Sequence, residues 1–450
     1  MKVLWVTNTP CSSIERNGDR AISGGWLSSL EKAVRDDIEL EIAFLSSGQR
    51  QEEFLYEGVK YHSIAPYSSG NYFIFRLRRL LMPWSRQDTL ILERLEHIIK
   101  AVRPDIIHIH GTEKCFGLIY GRMNGADGCI ETGGARIPVA ISIQGIMALC
   151  QMKYFAGISR HDVRKYESLG CRLKKQSAIR MYGQIRHQAH NEAEMLMNIR
   201  YIIGRTAWDK DYTGKMNPDR IYFTVGEIMR TPFYGADDNS RTAAQEGKPG
   251  SANPEKAPEG TGDRPIRIAT TISDGIYKGY ELLLEVAARL RAKGVGYIWT
   301  VIGYGADNEA VSVSEKSTGL NSSELGIRLA GRLDAEEIVR ELSGADIYCQ
   351  VSHIENSPNS LCEAMLLGLP SVATEVGGTS SLIDSGRTGI LVSDTAPDGF
   401  ADAIISLASD RAAAACMGHA ARQAALARHD PAKVKRQLLD TYKEIILSIR

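Results

Sequence analysis

Short apolar runs rich in β-branched residues alternate with stretches of three-to-four-residue apolar spacing along this 450-residue chain. Residues 2–7, Leu40 to Leu45 and Val59 to Ile64 read as strands. Gly24-Gly25-Trp26 opens a helix to about Arg35, and Thr89 to Val102 has helical spacing. Asp105 to Gly111 is a buried strand with a polar end, and Pro138 to Ile143 is another, ending at Gln144-Gly145. One long helix is expected over Arg172 to Met197, then a short strand, Tyr201 to Gly204. This alternation predicts a parallel sheet with crossover helices.

From Gly235 to Pro265 no large apolar residue occurs, and four of the fifteen prolines fall there. Such a stretch cannot bury a core and is expected to be a flexible, dispensable surface segment. After it the alternation resumes. Strands are expected at Ile266 to Ile272, Tyr297 to Ile302 and Ile327 to Ala330, with helices at Tyr280 to Ala292 and Ala335 to Leu342. The last helix lies near Pro431 to Ile449. The length exceeds one core. The expected division is an N-terminal domain over 1–235, a linker or insertion over 236–264, a C-terminal domain over 265–430 and a terminal helix over 431–450.

Charge changes this picture modestly. The net charge is zero, which argues against a general nucleic-acid binder. Residues 1–235, however, hold 32 Lys and Arg against 25 Asp and Glu, so the first half is basic and the second acidic. The eight cysteines form no CxxC pair and sit largely in apolar runs, as expected of reduced thiols in a cytoplasmic protein. The opening residues turn polar too soon for a signal peptide, and no apolar run has the length of a membrane span.

The densest chemistry lies in Ser352 to Met365. Glu355 and Glu363 stand seven residues apart, after a strand-like run, Ala345 to Val351, and before another, Pro370 to Thr374. Glu355 should therefore lie on a loop at a strand's carboxyl end and Glu363 in the opening turn of a helix, where open α/β sheets bind ligands. Ser357 would cap that helix and Pro358 would be its first residue. The N–H groups near Asn359 and Ser360 would then be ready to hold phosphate.

With Leu366-Leu367-Gly368-Leu369-Pro370 and Gly377-Gly378 downstream, this segment resembles the signature of the retaining, nucleotide-sugar-dependent glycosyltransferases of family 4. The resemblance implies a GT-B fold: α/β, with two Rossmann-like doubly wound domains facing a central cleft, and room for the C-terminal helix to cross back to the N-terminal domain. It implies that Glu363 bonds the donor's ribose hydroxyls and Glu355 those of the transferred sugar. Lys278, in Tyr277-Lys278-Gly279, would meet the pyrophosphate, aided by the helix start at Asn359, Ser360 and Leu361 and by Gly377 and Gly378. The family's usual arginine five or six residues before that lysine is absent, Ile272 and Ser273 standing there instead; Arg332 and Arg205 are the candidates to compensate. Ser381 replaces a frequent glutamate.

In the first half, the loop after the first strand carries Gly18, Gly24 and Gly25, where the family brings backbone close to donor and acceptor; a tight turn before a helix explains them equally well. Of His108 and His110, one is expected to point into the core and the other toward the cleft. The resemblance gives His110 a contact with the donor sugar. Arg205, in Ile203 to Asp209, either binds an anionic group or is a surface arginine, and Glu227 to Tyr234 reads as the crossing into a hinge. Tyr72 to Trp84 and residues 153–200 are basic stretches bearing aromatic or apolar residues, either solvated faces or contacts with an anionic membrane.

The implied activity is metal-independent transfer of a sugar, of hexosyltransferase type. The donor would be UDP-, GDP- or ADP-linked and the acceptor a glycan or polyprenyl-linked intermediate in surface polysaccharide synthesis. The work would take place in the cytoplasm or at the inner membrane face. A GT-B nucleotide-sugar epimerase and a non-catalytic nucleotide-sugar-binding subunit remain the alternatives.

Overall fold

The computed structural model describes residues 1–17, 25–46, 51–66, 81–173, 177–235 and 264–449. Gly18, Gly24, most of the Tyr72 to Trp84 run and the whole 236–263 segment lie outside the described residues. The chain forms two compact units. The first comprises Met1–Gln151, Tyr182–Ile228 and His429–Arg450; the second comprises Met152–Met181 and Met229–Arg428.

The first unit is built on strands β1 (Lys2–Thr7), β2 (Glu39–Leu45), β3 (Glu53–Tyr56), β4 (Val59–Ile64), β5 (Ile106–His110), β6 (Cys129–Thr132), β7 (Ala135–Ser142), β8 (Tyr201–Gly204) and β9 (Ile221–Thr224). Their order is β3-β4-β2-β1-β5-β7-β8-β9, with β6 added on β7. Pairing is parallel except for the β3–β4 and β6–β7 hairpins. The central strands are buried along nearly their whole length, as parallel strands covered on both faces must be.

The second unit holds β10 (Ile266–Thr271), β11 (Tyr297–Ile302), β12 (Ile327–Gly331), β13 (Ile347–Gln350), β14 (Ser371–Thr374) and β15 (Ile390–Val392). They form one parallel sheet in the order β12-β11-β10-β13-β14-β15. The order reverses beside β10, so the crevice at the carboxyl ends of β10 and β13 is its ligand position.

Two departures from the sequence reading have physical causes. Residues 152–181 pack with the second unit rather than the first: Ile158 and Val163 form a small core with Ile276 and Val313. The expected helix over Arg172 to Met197 is instead Leu169–Leu173 and Ala178–Asn198, the latter starting where the Ser177 hydroxyl accepts the Arg180 N–H. The final helix, Pro431–Leu447, belongs to the first unit, as the resemblance implied, and buries Val434, Leu438, Tyr442 and Ile445 in its core with Val3, Trp5 and Leu30. Six cysteines are buried, Cys171 is half-buried and Cys416 exposed, and none is bridged.

Candidate active site

The site of the second unit is assembled from the loops leaving β10, β13 and β14. After β10 a turn carries Tyr277 and Lys278 to Gly279, which opens the helix Tyr280–Ala292. Gly279 has φ +77°, and a Cβ there would stand 1.9 Å from the Val351 carbonyl oxygen. Only glycine lets this turn lie against the end of β13. The His353 N–H donates to the Tyr277 carbonyl at 2.9 Å and ties the two loops together.

Lys278 is thereby aimed at the loop after β13, and its Nζ lies 2.6 Å from Glu355 Oε1. Both side chains keep 15% exposure, so this pair is reachable by a ligand. The glycine pair after β14 seats Glu355 from the other side. Gly378 donates its N–H to the Glu355 carbonyl at 3.0 Å, and a Cβ on Gly377, φ +53°, would fall 1.9 Å from the same oxygen. The Gly378 N–H is therefore engaged with the protein, not turned to a phosphate.

The signature helix is Asn359–Leu366, with Pro358 at its cap position and no side chain capping it. The sequence reading placed its start one residue early, with Ser357 as cap and Glu363 in the opening turn. Glu363 is instead the fifth helical residue and is buried. Its two carboxylate oxygens receive Nε and Nη2 of Arg230, each at 2.7 Å. Burial pushes the Glu363 carboxyl up, and the Arg230 guanidinium opposes that shift. At the helix start the Leu361 N–H closes onto the Pro358 carbonyl at 3.0 Å. That leaves Asn359 and Ser360 as the residues whose N–H groups have no intrahelical acceptor. Asn359 Oδ1 and both amide atoms of Gln350, at the end of β13, are buried without a hydrogen-bond partner among the described residues.

A further charged group stands behind Lys278. His353 is buried with Nε2 against Glu281 Oε1 and Nδ1 3.0 Å from Asp394, which also meets Lys153 at 3.2 Å. Burial works against protonation of His353, but the carboxylates of Glu281 and Asp394 prevail and raise its pKa. Arg332 reaches Asp274 at 2.8 Å on the exposed rim. Ser273 is exposed, and its carbonyl accepts the Tyr304 hydroxyl at 2.9 Å.

In the first unit, the expectation that His108 and His110 face opposite ways fails. Residues two apart on a strand share a face, and the two rings lie 3.8 Å apart between centroids. His108 spans the Tyr442 and Ser142 hydroxyls, each at 2.6 Å, and burial lowers its pKa to about 3. His110 packs 4.5 Å from Trp5; both its ring nitrogens are buried without a partner among the described residues, and burial holds it neutral. Arg205 is not a surface residue: it is buried, bonded to Glu227, with its guanidinium 4.3 Å above the Trp26 ring. Gly25 is the first residue of the helix Gly25–Val34.

Sequence reasoning missed Glu113 and Glu192 near the end of β5. Glu113 takes an N–H of Asn8 at 3.3 Å, in space that a Cβ on Gly111 would fill. Glu192 accepts the Thr112 hydroxyl at 2.5 Å and the Ala148 N–H at 3.1 Å, and burial pushes its pKa up to about 7. It was hidden mid-helix, far in sequence from the loop it serves.

Residues 268–410 match the family model described as glycosyl transferases group 1. The amylovoran biosynthesis glycosyltransferase AmsK of Erwinia amylovora is 33% identical over 152 residues, covering 32% of this chain and 35% of that protein. The chain thus spans about a third of that relative's length. Two solved structures share the fold at low identity. Sucrose-phosphate synthase from Thermosynechococcus elongatus superposes with a TM-score of 0.70 at 13% identity over the full length of both chains. HepE of Anabaena, solved with UDP and glucose, gives a TM-score of 0.61 at 14% identity and covers 98% of this chain and 99% of its own. Residues 268–410 are thus similar to the group 1 glycosyl transferases, within a chain that has the GT-B fold.

Proposed function

We propose that the protein transfers a sugar from a nucleotide-diphosphate sugar to a glycan or lipid-linked acceptor, with retention of anomeric configuration and without a bound metal. The observation that carries this reading is the Lys278–Glu355 pair, 2.6 Å apart and solvent-reachable at the sheet's reversal point. A departing nucleoside diphosphate needs a cation, and the transferred sugar needs an acceptor of its hydroxyl hydrogens. Lys278 supplies the first and Glu355 the second, and each neutralises the other until the donor arrives. Helix N–H groups at Asn359 and Ser360 add dipolar stabilisation where charge develops. Glu363 would take the ribose hydroxyls. The UDP held by HepE and the biosynthetic role in the name of AmsK support the donor class and a glycan acceptor.

Thermal-shift screening of UDP-, GDP- and ADP-sugars should find one donor series that stabilises the protein, and hydrolysis of that donor should release the α- or β-sugar with the donor's own configuration. Glu355→Gln should cut turnover at least a hundredfold at unchanged melting temperature. Near-normal turnover in that variant would remove Glu355 from the chemistry. A second reading, a non-catalytic nucleotide-sugar-binding subunit, draws on Ile272 and Ser273 standing where the family has its arginine. Donor binding with no turnover in the unaltered protein would favour it.

A further inference from the structure

Arg230 lies in the Glu227 to Tyr234 crossing, which gave it no role of its own, yet it contacts both oxygens of Glu363. It stands in the short segment where the chain enters the second unit at Met229. That segment is fixed at both ends: the Met229 N–H donates to the Tyr234 hydroxyl at 2.9 Å, and Phe233 is fully buried in the core that also holds Leu361 and Met365. The Arg230 guanidinium lies 4.9 Å from the Phe233 ring centroid and presents its Nε–Nη2 edge to Glu363. A flat cation stacked on a ring and bonded at two points leaves the carboxylate one orientation.

We propose that Arg230 is a positioning residue for recognition of the donor's ribose: bonded to both oxygens of Glu363, it fixes the orientation of that carboxylate so that a lone pair left on it can accept a ribose hydroxyl. This inference rests on the reading of Glu363 as the ribose contact. Its physical basis is the lone-pair count. Each carboxylate oxygen has two acceptor directions, and Arg230 uses one on each. The two that remain point to opposite flanks of the carboxylate, so a ribose on either flank meets one fixed acceptor. Without Arg230, burial would drive Glu363 toward its neutral form, which can accept from fewer hydroxyls and is free to rotate. Lysine cannot replace the arginine, because a point charge does not fix two oxygens at once.

The test compares ribo- and 2′-deoxyribonucleoside diphosphates by calorimetry, using the first of the UDP/dUDP, GDP/dGDP and ADP/dADP pairs whose ribo member binds the unaltered protein. That protein should prefer the ribo member by about tenfold or more, the size of a hydrogen bond to a charged group. Arg230→Gln should lose the preference by weakening the ribo member alone, leaving the deoxy affinity within about twofold. Arg230→Lys should fall between, and should serve as the reading if Arg230→Gln melts early. Glu363→Gln should match Arg230→Gln, and combining the two should add no further loss, because both act through one contact. Equal weakening of both nucleotides in Arg230→Gln would make the pair a structural brace and overturn the inference. An unchanged preference in that variant would also overturn it. If the unaltered protein does not distinguish the pair at all, the assignment of Glu363 to ribose fails first, and the role of Arg230 with it.

Discussion

A lysine and a glutamate 2.6 Å apart, both partly exposed, neutralise each other while the site is empty. Replacing Lys278 with Ala should therefore have two effects in the same direction. Phosphate binding loses a charge-assisted contact of roughly 1.5–3 kcal/mol, while Glu355 is left with an uncompensated charge facing the donor's own anion. Titration of a nucleoside diphosphate should show a loss of about ten- to a hundredfold, with the matching nucleoside nearly unaffected; equal losses for the two would separate Lys278 from phosphate. The positions of Lys278, Glu355 and Glu363 at loop and helix were legible because strand, glycine and helix signals bracket them closely in sequence. Arg230 was not legible, because its partner lies 133 residues away and only the fold brings them together. The two histidines were misjudged for a different reason. The strand itself was recognised, but its period of two was not carried through to the side chains.

At the scale of elements, glycines rather than side chains set the spacing of the site loops. Gly377 and Gly279 each bring backbone against a carbonyl oxygen that a Cβ would strike at 1.9 Å. Gly377→Ala should force the Glu355 loop away from Lys278, with a left-handed backbone penalty of about 1–2 kcal/mol. Turnover should fall at least tenfold, and nucleoside affinity should stay near that of the unaltered protein. Gly296→Ala is the control, since nothing lies within 4 Å of its added Cβ. Unchanged turnover in Gly377→Ala would mean that the loop tolerates another path. The sequence announced a glycine pair but not what it approached, since a close contact between loops after β13 and β14 has no local signature. The edge strand β3 escaped notice too. It is four residues long, alternates between exposed and half-buried positions, and turns at Glu57-Gly58 into β4, so it lacks the apolar run by which its buried neighbours were recognised.

At the scale of the whole chain, sequence order and spatial unit part company. The first unit is closed by its last segment, where Tyr442 receives the Trp5 indole N–H at 2.9 Å and meets His108 at 2.6 Å. Four apolar or aromatic side chains of the helix Pro431–Leu447 enter that core. At about 1.5–3 kcal/mol each, their burial is comparable to the whole stability of an ordinary domain. A chain ending at Arg428 should keep slow amide exchange in β10, β11 and β13 but lose it in β1, β5 and β7; protection in both sheets would mean that the first unit closes without its last helix. The same connectivity bears on synthesis at the ribosome. The second unit is entire once Arg428 has emerged, whereas β1, made among the first residues, waits for Tyr442. At roughly 5–20 residues per second, the strands of the first 151 residues stand incomplete for about 15–60 s before their closing helix exists. The second unit can thus mature first, while the apolar face that Val434, Leu438, Tyr442 and Ile445 will cover on the nascent N-terminal sheet stays open.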